Sequence, residues 1–140
     1  MAGKDYFLIT SLPTPGPLGS KPPISPAELV GRALYNRSAR ELIQAIFLSD
    51  DLLQRQSFLA GELKGVSPTV LTAAQVRNQE PLPAWLEVSP QHPGGPSPVD
   101  SLWAAYYRHA IRVAARLGSD FLTDWVIYEV AFRNALVVAR

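Results

Sequence analysis

Cysteine is absent from the 140 residues, which excludes disulfide cross-links, thiolate zinc sites and thiol nucleophiles together and fits a reducing compartment. Histidine is scarce. His92 and His109 are the only two, and neither has an acidic residue at helical spacing, so a metal site has no set of converging ligands to draw on. A glycine-rich phosphate loop, a lysine in a phosphate-binding context and a serine elbow are all missing. Excess charge is missing too. Thirteen basic and 12 acidic residues leave a net charge of +1, which supplies no global field for nucleic acid or an anionic membrane. Near the N-terminus the continuous apolar run is only Tyr6 to Ile9 and prolines follow, too short for the core of a signal peptide. The expectation is a non-enzymatic protein with no metal and no cofactor, acting through local contacts.

What the chain does have is a strongly apolar C-terminal stretch, Asp120 to Arg140, in which nearly every face of a helix would be hydrophobic. Such a helix is expected at the centre of a bundle, jacketed by its neighbours. Asp124, Glu129, Arg133 and Asn134 inside it would be costly in hydrocarbon, which favours a soluble helix over a membrane span. Glu129 and Arg133 stand four apart with the acid first, the spacing of a side-chain ion pair, here expected to be partly buried. The helical pattern is still running at Arg140, so the native chain is expected to continue beyond it.

Proline punctuates the rest. Six of the 13 prolines fall between Pro13 and Pro26, an extended connection on the surface. Before it, Tyr6-Phe7-Leu8-Ile9-Thr10 is aromatic and β-branched and reads as a short extended segment, with one helical turn as the alternative. Ser25-Pro26-Ala27-Glu28 is a full capping box, Ser97-Pro98-Val99-Asp100 repeats it with aspartate, Ser67-Pro68 lacks the acid, and Ser38-Ala39-Arg40-Glu41 lacks the proline. These starts predict helices over about 26–35, 39–63, 68–78 and 98–117. In the second, Leu42, Ile43, Ile46, Phe47, Leu53, Leu59 and Leu63 form the expected core stripe, and Ser49-Asp50-Asp51 either breaks it or is passed through. Asp50 and Asp51 point in different directions on a helix and suit capping or solvation. Gly65 is the expected stop. The fold class is therefore mainly α, a single helical domain over 1–140 built as a multi-helix bundle with a short extended N-terminal segment and proline-rich connections.

Two groups of residues are candidates for binding a partner. Trp85 sits between proline-rich stretches and either plugs its loop onto the bundle or docks a partner. Arg108, Arg112 and Arg116 recur every four residues on the helix that buries Leu102, Trp103, Tyr106, Ala110, Val113, Ala114 and Leu117 on its other face. Three guanidinium groups in a row would suit an acidic protein surface, phosphates or RNA, although a solvated polar face needs no partner at all. Gly118 separates this helix from the last one or merely kinks a single long helix.

Three patches resemble an uncharacterised family encoded among the subunit genes of prokaryotic V/A-type rotary ATPases. They are Tyr6-Phe7-Leu8-Ile9-Thr10-Ser11-Leu12-Pro13 at the start, Leu82-Pro83-Ala84-Trp85-Leu86 in the middle, and Phe121-Leu122-x-x-Trp125-x-x-Tyr128-Glu129 through Asn134-x-Leu136 at the end. Asp50-Asp51 departs from the family's tendency to place asparagine after the aspartate. The family is similar in helical make-up to the C/d subunit of V-type ATPases, the socket between rotating shaft and membrane ring. The resemblance implies a cytoplasmic protein, membrane-associated only through the complex, whose partners are V/A-type ATPase subunits, with no nucleic acid expected. The alternative is a free-standing helical adaptor or RNA-associated protein using the Arg108, Arg112 and Arg116 face.

Overall fold

A computed structural model describes residues 2–87 and 93–139; His92 and Arg140 lie outside the described residues. The described residues are mainly helical, forming α1 (Ala2–Ser11), α2 (Pro26–Arg32), α3 (Arg37–Leu59), α4 (Ala73–Val76), α5 (Pro98–Leu117) and α6 (Asp120–Val138), with one 3₁₀ turn at Ala84–Leu86. The multi-helix bundle is thus the architecture observed. Among the described residues no helix is long and apolar enough to cross a membrane.

Capping chemistry sets several boundaries. Ser25 accepts the amide of Glu28 while the Glu28 carboxylate accepts the amide of Ser25, closing the box that starts α2. Ser97 accepts the amide of Asp100 at the start of α5. Gly118 adopts a left-handed conformation at φ 61° and ends α5, and Ser119 caps α6 through the amide of Leu122. The two helices form a hairpin around that glycine, not one kinked rod.

Elsewhere local competition changes the boundaries. The N-terminal segment is helical, not extended: the hydroxyls of Thr10 and Ser11 donate back to the carbonyls of Tyr6 and Leu8, and β-forming side chains gain little without a strand to pair with. Asn36, not Ser38, caps α3 by accepting the amide of Ala39. The helix runs unbroken through Ser49-Asp50-Asp51 because each polar side chain finds a partner: Ser49 donates to the carbonyl of Ile46, and Asp50 accepts from Gln54 one turn on. It ends at Leu59, with Gly61 at φ 78° taking the stop expected of Gly65. The helix expected over 68–78 shrinks to α4, started by a Thr72–Gln75 box in place of Ser67-Pro68.

On α3 the core sits differently from the expected stripe, whereas the stripe expected on α5 is largely the one that is buried. The buried face of α3 is Ala45, Leu48, Asp51 and Leu52, while Leu53 and Leu59 on the helix and Leu63 beyond its end are exposed. Helix α5 is the central element and touches α3, α6 and the 3₁₀ turn. It buries Trp103, Ala105, Tyr106, Ala110, Val113 and Ala114. Tyr106 is fully buried, donates to the carbonyl of Ala45 at 2.7 Å, and meets Trp103 and Trp125 edge-on. Hydroxyl and ring are both satisfied, which is what a buried tyrosine needs.

Helix α6 is not jacketed. Only Leu122 and Val126 are buried, with Trp125 and Val130 packed at the margin. The reason is a shortage of cover: α6 packs along α5, and α5 already gives its other side to α3. A helix apolar all round but covered on one side leaves the remainder of its hydrophobic surface in water.

Candidate functional site

The exposed surface of α6 is the first feature of the site. Phe121, Tyr128, Phe132 and Leu136 follow one another at seven, four and four residues, spacings that place them on one face. All four are exposed, between 47% for Leu136 and 64% for Tyr128, and the rings of Tyr128 and Phe132 lie nearly parallel with centroids 6.2 Å apart. Val137 and Val138 extend the apolar surface towards the end of the helix. An aromatic stripe of this kind on a folded domain marks an interaction surface more often than a solvated one.

A groove between α5 and α6 borders this stripe. It encloses about 810 Å³ and is lined by Ala104, Tyr107, Arg108, Ile111 and Arg112 from α5 and by Val126, Ile127, Val130, Ala131 and Asn134 from α6. Burial raises the affinity of the Tyr107 hydroxyl for its proton, while the charge of Arg133 pulls the other way.

The three arginines do not share a role. A four-residue step overshoots a helical turn by about 40°, so Arg108 and Arg116 point in directions about 80° apart. Arg108 and Arg112 reach the lip of the groove, whereas Arg116 turns towards α3 and pairs with Glu41 at 2.8 Å. Glu41 also holds Arg37 at 3.0 Å. Arg116 and Trp85 line a small cleft together with Glu41 and His109.

Trp85 lies flat on His109, ring centroids 3.9 Å apart and planes inclined by 21°. The plug that seats the loop is its neighbour Leu86, which is fully buried. Trp85 remains 40% exposed. Burial, followed by the positive charges of Arg112 and Arg116, lowers the pKa of His109 and favours the neutral ring against the indole.

Glu129 and Arg133 are not brought together. Among the described residues no ion pair joins them; the guanidinium of Arg133 lies over the ring of Trp103, 3.4 Å from its centroid. A charge on the inner side of α6 is held by the face of an aromatic ring from α5.

One polar centre escaped the sequence reading. The carboxylate of Asp51, fully buried, accepts the consecutive amides of Thr69, Val70 and Leu71 at 2.8, 2.7 and 2.7 Å. It pins the chain before α4 to the side of α3. Burial raises its pKa, and the three amides, which favour the ionised form, oppose that shift. The signal was present in the pattern: an acid between Leu48 and Leu52 on an apolar face requires donors from elsewhere. Among the described residues no group of three or more histidine, aspartate or glutamate side chains is placed to hold a metal ion.

The fold and site together define a helical domain with an open apolar face. No protein family, no curated protein and no solved structure matches this chain.

Proposed function

We propose that the protein works by contact, as a non-enzymatic subunit or assembly and coupling factor of a V/A-type rotary ATPase. The observation that carries the contact reading is the exposed stripe Phe121, Tyr128, Phe132 and Leu136 on α6. Covering such residues with a partner recovers hydrophobic free energy, about 25 cal/mol for each Å² removed from water, which leaving them exposed forgoes.

The choice of partner rests on the three patches that resemble the ATPase-linked family. Tyr6, Phe7 and Ile9 from the first patch, Trp85 from the second, and Phe121 and Tyr128 from the third are all exposed in the fold. Leu86 and Leu122 from the same patches are buried, so the patches supply both core and surface, and their exposed members are the ones available for contact. The anionic-partner alternative draws less support, because Arg116 is engaged by Glu41 and the three arginines face two separate surfaces.

Purification of the ATPase from membranes of the source cell, with a tag on a stalk subunit, tests the assignment. The chain is expected to elute with the stalk subunits in fixed proportion. An ATPase that lacks the chain and keeps full coupled activity after its removal would overturn it.

A further inference from the structure

We infer that the groove between α5 and α6 seats an amphipathic helix of a partner protein, with that helix's acidic edge lying along Arg108 and Arg112. The inference rests on the contact reading above and names the kind of element that makes the contact.

Shape is the first argument. The groove extends along α5 from Ala104 to Arg112, which at about 1.5 Å per residue gives a length near two helical turns. Ala104 and Ala131 face into it from opposite walls, and small residues there let a third helix come close. Ile111, Ile127 and Val130 supply apolar flanks for side chains repeating at three and four residues.

Charge selects the occupant. Arg116 is neutralised by Glu41, but among the described residues neither Arg108 nor Arg112 has an acidic partner within ion-pair distance. Both belong to the α5 lip. The opposite wall ends in uncharged Asn134, with Asp124 one turn before Ile127 towards the start of α6. The groove is therefore electropositive along one edge only. An incoming helix with glutamate or aspartate down a single flank matches it in one orientation, and a basic flank is repelled.

The probe is a pair of stapled helical peptides with the same leucine and alanine face, one carrying glutamate and the other lysine along the flank, titrated into the full chain by fluorescence anisotropy. The glutamate peptide is expected to bind roughly tenfold more tightly at low salt, an advantage that shrinks as salt rises, since two rim charges contribute modestly and are screened. Arg108→Ala with Arg112→Ala should erase that preference while leaving apolar binding. Ala131→Trp should block both peptides, and a circular dichroism spectrum like that of the parent chain establishes that this variant is folded. Equal binding of the two peptides, an unchanged preference in the arginine variant, or a groove closed by self-association of the chain overturns the inference. Co-elution with ATPase stalk subunits that survives Ala131→Trp would remove the groove and leave the contact reading intact. Peptide discrimination without any such co-elution would do the reverse.

Discussion

The guanidinium of Arg133 sits 3.4 Å from the centre of the Trp103 ring, joining the inner side of α6 to the N-terminal third of α5. The local rule for residues four apart points Arg133 at Glu129, and the tertiary contact prevails because it takes the cation onto an aromatic face already in the core. A double-mutant cycle on Arg133→Met and Trp103→Leu should give a coupling of about 0.5–2 kcal/mol in urea unfolding. The same cycle on Arg133→Met and Glu129→Gln should give a coupling near zero. The reverse order would restore the ion pair as the organising contact.

Asp51 is the polar anchor of the core, and its removal strands three amides at once. Asp51→Ala should cost about 3 kcal/mol or more, since each unpaired buried donor carries a penalty of about 1–3 kcal/mol offset in part by water entry. Hydrogen exchange should locate the loss: the amides of Thr69, Val70 and Leu71 should become unprotected before those of α5 do. Retained protection at those three positions would show that the segment is held by other means.

The starts of α2, α5 and α6 were legible in the residues, and the reasons are local. Ser25, Ser97, Gly118 and Ser119 act on amides within their own turn or set their own backbone dihedrals, so no distant partner can override them. The fate of α6 was not legible, because apolar composition states that a surface seeks cover and leaves open who supplies it. The arginines show the same limit. Their four-residue spacing is visible in the chain, but only the positions of α3 and α6 decide that Arg116 finds Glu41 and that Arg108 and Arg112 edge a groove. Asp51 differs from its exposed neighbour Asp50 in falling between Leu48 and Leu52 on the buried face, a distinction the helical period alone carries.

His109 gives the fold a defined response to acid. Its pKa is lowered from 6.5 by burial and by Arg112 and Arg116, so the unfolded chain binds the proton more readily than the folded one. The stability it contributes is fully present above pH 6.5 and is lost as pH falls from there through the lowered value. Melting curves between pH 7.5 and pH 5, a range chosen to bracket 6.5, should show that decline for the parent chain and a flatter profile for His109→Phe, which keeps a ring against Trp85. A parallel decline in both proteins would assign the effect to other groups.

The most direct test of the central claim replaces the α6 stripe without disturbing the core. Phe121→Ser, Phe132→Ser and Leu136→Ser combined change only side chains that are about half exposed or more. The parent chain is expected to be retained by immobilised V/A-type ATPase stalk subunits, and the folded triple variant, with a melting temperature close to that of the parent, is expected to lose that retention. Equal retention of the two proteins, or retention of neither, would contradict the account.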